Sequence, residues 1–375
     1  MLEREAMAVL VSAQAIGYAK REAALYRAGS ALEIVKHPQA YALILGQEGA
    51  ASIARSAKRA DAMLEKLDKA GVRLVVRGEE EYPDCLAAAP RAPHLLYVRG
   101  GEINDLQVVG IVGTRRASAY GLRHTRRIAA ELAEAGVCVV SGLATGIDAA
   151  AHEGAIDVRG RTIAVLGSAH DRFYPAANRE LLDRILACGG SVVSEYPMGT
   201  PAGRYTFLQR NRIIAGLSQG VLVTEGARRS GALSTANHAL DAGRDVFALP
   251  GDIDRVSAQL PNMLIAEGAA PVSCGADILL HLQGGHEKKE KPAKKRREAG
   301  KPAAAAPVPA EKPQAAQALT GPEKMIAGLL LERDMDFDML CEKTGIASDD
   351  LGAILMMMEL DGVIEALPGL KYRHT

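Results

Sequence analysis

Arginine dominates the places where this chain could do chemistry. Arg115, Arg116, Arg204, Arg210, Arg212, Arg228 and Arg229 stand at or beside short glycine- and serine-rich turns. No lysine occurs between Lys69 and Lys288, so every strong base in that stretch is a guanidinium. A guanidinium is a planar fork that grips phosphate through two parallel bonds and stacks on flat rings, which an ammonium cannot do. Four turns carry the candidates. The first, "GIVGTRRASAYG" (110–121), puts Gly113, Thr114 and Arg115 on a strand-to-helix turn whose backbone N–H groups form a ready anion site. The second, "SGLATGIDAAAH" (141–152), opens with Ser141 and Gly142, small enough to admit a close approach. There Asp148 reads as a helix cap and His152 as a core histidine. The third, "SEYPMGTPAGRYTFLQRNR" (194–212), is a long loop of the kind that carries function, holding Arg204 and Phe207. Arg210, Ile213, Ile214 and Leu217 then recur at helical spacing, which predicts a helix starting at Arg210 with Asn211 and Arg212 in its first turn. Cations at a helix start oppose the dipole by about 0.3–1 kcal/mol each unless an anion arrives. The fourth turn, "TEGARRSGALSTA" (224–236), places Glu225 at a strand tip.

Other chemistries are disfavoured. The glycines of the first turn do not follow the G-x-G-x-x-G order, and the next strand ends in Ser141-Gly142 rather than an acidic residue, so a dinucleotide site is not expected. There is no phosphate-binding Walker loop, no metal-ligand cluster and no nucleophile–base pair. The residues therefore predict an anionic ligand that is bound rather than transformed, with neither cofactor nor metal.

The elements that must position these residues follow from periodicity. Short β-branched runs such as "QVVGIVG", "VCVVSG", "RTIAVLG", "SVVSEY", "GVLVTEG" and "DVFALPG" alternate with helical stretches. Apolar runs without polar alternation are strands buried on both faces, and the intervening helices require parallel pairing. The fold class is α/β: a Rossmann-like, doubly wound, mostly parallel sheet of about six strands. Four segments are expected: a helical domain over 1–75, the Rossmann-like domain over 76–282, a linker over 283–320 and a winged helix over 321–375. The linker is rich in Pro, Ala and Lys, and between 286 and 301 it carries eight Lys/Arg against three Glu. Such a segment cannot build a core, and it is either a solvated tether or a further contact to nucleic acid. The last segment reads as three helices and a hairpin turning at Pro368-Gly369, with the Met356–Met358 run in its core. It carries five Lys/Arg against eleven Asp/Glu, so a winged helix that does not bind DNA and instead contacts protein is expected.

Composition is that of a globular protein, 48% hydrophobic and 24% charged, with 45 basic and 45 acidic residues. The five cysteines are scattered singly, as buried reduced thiols of a cytoplasmic protein would be. The acidic "MLERE" ahead of "AMAVLVSAQA" suits an amphipathic helix better than a signal peptide, and no apolar run is long enough to span a membrane.

The motifs in their order resemble the bacterial DprA/Smf DNA-processing family. "YPDCLAAAPRAPHLLYVRG", "VGIVGTRRASAYG", "VVSGLATGIDAAAH", "FLQRNRIIAGLSQGVLVTEGARRSGALSTA" and "GRDVFALPG" carry the resemblance across most of the chain. It implies a protein that binds single-stranded DNA without sequence preference, protects incoming DNA and loads RecA recombinase during natural transformation. It also implies a homodimer through the Rossmann-like domain, and a first domain of SAM or helix-hairpin-helix type. On the matching positions it puts DNA at Gly113, Thr114, Arg115, Ser141, Gly142, Arg204, Phe207, Arg210, Asn211 and Arg212. Thr145, Gly226 and the "AQLPNMLI" stretch depart from the family pattern, the last bearing on the shape of one loop. The rival reading is a LOG-type nucleotide phosphoribohydrolase with Glu225 as its catalytic carboxylate, although the P-G-G-x-G-T-x-x-E loop of those enzymes is missing.

Overall fold

The computed structural model describes residues 1–104, 106–284, 321–346, 348–360, 363–367 and 371–374. Nearly all of the basic linker, and the Pro368-Gly369 turn, lie outside the described residues. A helix spanning Gly275–Gly284 runs two residues past the boundary expected at 282.

The chain lays down nine strands in one sheet: β1 (Arg73–Val76), β2 (Leu95–Gly100), β3 (Val108–Val112), β4 (Cys138–Ser141), β5 (Thr162–Val165), β6 (Ser191–Ser194), β7 (Gly220–Val223), β8 (Asp245–Ala248) and β9 (Ala270–Pro271). Their order is β1-β2-β6-β5-β4-β3-β7-β8-β9. From β6 to β9 every neighbouring pair is parallel, while β1 and β2 add an antiparallel edge. The sheet thus exceeds the expected six strands, and the strand at Arg73–Val76 straddles the domain boundary expected at 75/76. That edge has a physical reason. The N-terminal helices bury Leu10, Ile34, Ile53 and Leu67 in one core with Leu74, Val76, Leu95 and Tyr97 of β1 and β2, so the helical segment is fastened to the sheet.

Alternation along the central strands builds both faces. Val109 and Ile111 of β3 and Val139 of β4 pack with Ile128 and Ile147 of the Ala119–Glu134 and Ile147–Asp157 helices. Val108, Val112 and Val140 point the other way, against Ile213 and Ile214 of the Arg204–Leu217 helix. Each such fully buried side chain is worth roughly 1.5–3 kcal/mol of transfer free energy, which fixes the register. Crossovers run from β3 outward to β6 on one side and from β7 outward to β9 on the other. The chain therefore changes direction between β3 and β7, and the carboxyl ends of these two strands form the crevice where open α/β sheets take ligands.

The last segment is a unit with its own core of Ile326, Leu330, Leu340, Leu351, Leu355 and Met358. Three helices, Gly321–Glu332, Phe337–Thr344 and Ser348–Leu360, carry a small antiparallel sheet of β10 (Met335–Asp336), β11 (Ile364–Leu367) and β12 (Lys371–His374), ordered β10-β12-β11. This is the winged helix read from the sequence, with Met358 in its core as expected, whereas Met357 of the same run departs from that expectation and lines the large cavity described below. None of the five cysteines is in a disulfide. Among the described residues no helix is long and apolar enough to cross a membrane.

Candidate nucleic-acid interface

The glycine turn after β3 is held from two sides. Thr114 N donates to Glu225 O at 2.8 Å, and Ile147 N donates to Thr114 O at 3.2 Å. A Cβ on Gly113 would stand 2.7 Å from Ile147 Cγ1 and 2.8 Å from Glu225 O, so only glycine fits between the β7 tip and the next helix. The turn leaves Arg115 and Arg116 exposed.

The helix that follows, Ala119–Glu134, has its N-terminus already occupied. Ser118 N donates to Glu225 Oε2 at 2.8 Å, while Ser118 Oγ and Ser257 Oγ donate to Oε1 at 2.6 and 3.2 Å. Glu225 is only 3% exposed. In a dinucleotide-binding fold this helix start receives the pyrophosphate, and here the protein's own carboxylate fills it. The same geometry places Glu225 as a clamp between β7 and the helix. It is absent from the lining of the large cavity described next and borders a smaller one of about 290 Å³ with Tyr120, Asp252 and Arg255, its two oxygens already engaged by Ser118 and Ser257, which does not favour the rival reading.

Beside that clamp, at the carboxyl ends of β3 and β7, opens a cavity of about 680 Å³. Two helix N-termini face it, Gly203–Arg204 of the Arg204–Leu217 helix and Ser230–Gly231 of the Gly231–Asp241 helix. Both present backbone N–H groups and the positive end of a dipole. The Ser230 hydroxyl is buried there with no hydrogen-bond partner among the described residues. Phe207 forms part of the wall. Its ring lies 5.9 Å from the Tyr174 ring at a 53° tilt, and the Arg115 guanidinium carbon stands 4.9 Å from its centroid. Gly167 makes the seat for Phe207, since a Cβ there would come within 2.6 Å of Cδ1.

The Arg-Asn-Arg motif is placed differently from the sequence expectation. The helix starts at Arg204, with Gly203 N bonded to Thr206 Oγ1 at 2.9 Å, and not at Arg210. Arg204 therefore occupies the dipole-opposed first turn, and Arg210 and Arg212 sit in the helix body. Residues two apart are about 200° apart around a helix, so the two arginines leave on opposite sides. Arg210 lines the cavity but is 4% exposed, with Nη1 donating to Val165 O at 2.5 Å. Asp148 lines the same cavity and acts on it electrostatically. Burial pulls Arg210 below its ordinary pKa against the attraction of Asp148, and burial pushes Asp148 up against the attraction of Arg210. A Cβ on Gly142 would collide with the Arg210 guanidinium, so Gly142 makes the slot for that guanidinium and is not among the lining residues. Ser141 is fully buried and donates to Ile111 O at 2.6 Å. Arg212 pairs with Glu195 on the far side of the helix, outside the cavity.

Seven of the ten sequence candidates thus meet in one cavity: Gly113, Thr114, Arg115, Arg204, Phe207, Arg210 and Asn211. Ser141, Gly142 and Arg212 do not, because the first two support the floor and the third closes an ion pair behind it. Asn211 Nδ2 donates to Gly231 O at 3.2 Å, tying the body of the Arg204–Leu217 helix to the start of the Gly231–Asp241 helix. The sequence reading missed Tyr174, whose signal was an aromatic in the loop beyond β5, at the same rim. His152 is a core histidine as read. Its Nδ1 lies 2.7 Å from Thr162 Oγ1, and burial depresses its pKa to about 3.

Over residues 73–283 the chain matches the family described as DNA recombination-mediator protein A, and over 310–370 it matches the DprA winged helix domain. The chain belongs to this DNA-processing family. The match begins at Arg73, where β1 begins. Protein Smf of Synechocystis is 36% identical over 330 residues, covering 83% of this chain and 82% of that protein. Protein Smf of Escherichia coli is 43% identical over 58% of this chain and 59% of its own length. Among solved structures, DNA processing protein A of Streptococcus pneumoniae superposes with a TM-score of 0.58 at 39% identity, covering 64% of this chain and 84% of that one. The Helicobacter pylori protein, described for its single-stranded DNA binding mode, gives 0.51 at 28% identity over 58% of this chain and 98% of that one.

Proposed function

We propose that the cavity beyond β3 and β7 binds single-stranded DNA without sequence preference, and that the protein mediates recombination by delivering that strand to a RecA recombinase. One observation carries the reading: a stacking platform of Phe207 and Tyr174, with Arg115 over it, faces two helix N-termini across a single open cavity. Phosphates approach Arg115, Arg204 and the N–H groups at the Ser230–Gly231 helix start, while bases lie against the rings. Every base has a π-face, so this arrangement selects single strands over duplex and is indifferent to sequence. Arg210 and Asp148 form the floor and hold the shape. No bond of the nucleic acid need change, and the enzyme reading through Glu225 loses its support because that carboxylate is committed to Ser118 and Ser257. The family description supports a role in recombination. Assembly as a homodimer through the Rossmann-like domain, action on incoming DNA during natural transformation, and a protein-contact role for the acidic winged helix complete the proposal.

The test is a mobility shift of the full chain with single- and double-stranded oligonucleotides of equal length, wild type beside Arg115→Ala. Preference for the single strand, weakened by the substitution, is the expected result. Equal or stronger binding to duplex, unaffected at Arg115, overturns the reading.

A further inference from the structure

A second basic groove adjoins the cavity and shares its wall. Arg115 and Arg116 line both spaces, the cavity on one side and, on the other, a groove of about 700 Å³ between the Ala119–Glu134 and Ile147–Asp157 helices. Each helix contributes one stripe to it. Ala119, Leu122, Arg123 and Arg126 recur at i, i+3, i+4 and i+7 on the first, and Gly146, Ala149, Ala150 and Glu153 recur in the same way on the second. The two helices meet closely farther along, where a Cβ on Gly154 would collide with Arg126 O, and the groove opens on the N-terminal side of that crossing. Three small residues on the second helix keep its floor low.

The charges in the groove divide into two groups. Arg126 is engaged by Asp157 at 2.5 Å and by Glu153 at 3.5 Å, which accounts for the one carboxylate in the groove. Arg116 and Arg123 are exposed and have no carboxylate partner among the described residues. Neither is needed to close the fold, and neither is used by the cavity's floor or its stacking platform. A strip of uncompensated guanidinium that begins at the cavity rim and continues along a groove with few aromatic walls suits a phosphodiester backbone whose bases face outward.

We propose that this groove continues the nucleic-acid path: a strand whose bases occupy the cavity passes over the Arg115-Arg116 turn, and Arg116 and Arg123 hold the phosphates that follow. The inference rests on the single-strand reading of the cavity. It gives the site a direction and a minimum length, since a short oligonucleotide fills the cavity alone and a longer one also reaches Arg123.

The test uses the full chain with an oligothymidylate hexamer and a twenty-mer, comparing wild type, Arg123→Ala and Ala119→Trp. Arg123→Ala removes an exposed charge, and Ala119→Trp narrows the groove without changing charge. Both are expected to leave hexamer affinity and thermal stability unchanged. Both are expected to weaken twenty-mer binding, roughly two- to fivefold for Arg123→Ala, as for an exposed ion pair. Arg123→Ala should also lower the twenty-mer's salt slope by about 0.7, the value for one lost single-strand phosphate contact. Equal weakening of both lengths by Arg123→Ala, with no effect of Ala119→Trp, would mean general attraction and refute the path. No effect of either variant at either length also refutes it. Failure of the wild type to bind either oligonucleotide would instead sink the reading of the cavity itself.

Discussion

Arg212 is the residue on which motif and structure part most sharply, so Arg212→Ala is the most informative perturbation. The motif makes it a phosphate ligand, and the structure makes it half of an ion pair with Glu195. The side chains are 10% and 16% exposed, so the pair is nearly dry. Breaking a buried pair by removing one partner costs about 3–5 kcal/mol, because the remaining charge stays buried alone. Glu195 keeps a distant attraction to Arg21, and its Oε1 has no hydrogen-bond partner among the described residues. The residual exposure and the Arg21 field argue for the lower end, about 3 kcal/mol. At roughly 2–4 °C per kcal/mol for a large domain, the main unfolding transition should fall by about 6–12 °C. Combining Arg212→Ala with Glu195→Ala should recover at least 1 kcal/mol relative to additivity, since the orphaned charge is gone. Urea unfolding measures the stability terms, and a salt titration of oligothymidylate binding measures the functional one. The slope of log K against log salt should not change. A variant that unfolds like wild type while its slope falls by about 0.7 would show Arg212 holding a phosphate and would refute the argument.

Arg115→Ala should do the opposite, lowering the salt slope by about 0.7 while stability, measured by the same urea titration, stays within ~0.5 kcal/mol. Phe207→Ala should weaken binding by ~1–3 kcal/mol at every salt concentration, because stacking releases no counterions, and Phe207→Tyr should retain most of the affinity. Stability should fall below pH 6.5 through His152. Its Nδ1–H donates to Thr162 Oγ1, whose own proton goes to Val139 O, and Nε2 is buried with no partner among the described residues, so the folded state refuses the proton that the unfolded chain accepts. With the pKa depressed to about 3, stability is full above 6.5 and is lost as pH falls toward 3, by about 2 kcal/mol between pH 7 and pH 5. Unfolding titrations should show that slope flattened in His152→Gln. The winged helix, expressed as residues 318–375, should show no duplex binding at moderate salt. Micromolar binding abolished by changing Lys371 and Arg373 would overturn its assignment as a protein-contact unit.

Much of this architecture was legible because burial on both faces leaves a plain signature. Runs such as Val108–Val112 and Gly220–Val223 contain no polar alternation, and glycines punctuate the turns at the strand tips, so the parallel sheet and the rim carrying its loops could be read directly. The antiparallel edge could not. Arg73–Val76 follows continuously from helical sequence, and its pairing with Leu95–Gly100 depends on a partner twenty residues away. Tyr174 was hidden for a related reason: its place beside Phe207 is set by where the loop beyond β5 meets the first turn of the Arg204–Leu217 helix, which no local pattern encodes.

The misplacement of Arg210 has a different origin, and the sequence already contained its correction. The stripe that predicted a helix joined Arg210 to Ile213, Ile214 and Leu217, and all three are buried against the sheet. A residue that shares a stripe with core positions shares their direction. Periodicity therefore assigned Arg210 to the interior, while its chemistry suggested a surface contact. The structure reconciles the two by sinking the guanidinium into a slot cut by Gly142, with Val165 O as acceptor and Asp148 alongside. Arg212, displaced by two residues, had to leave on the opposite side. What the motif offers to a ligand is thus one buried arginine that sets the floor, while the exposed cations of the glycine turn stand at Arg115 and Arg116, where the chain is turning and no stripe fixes their direction.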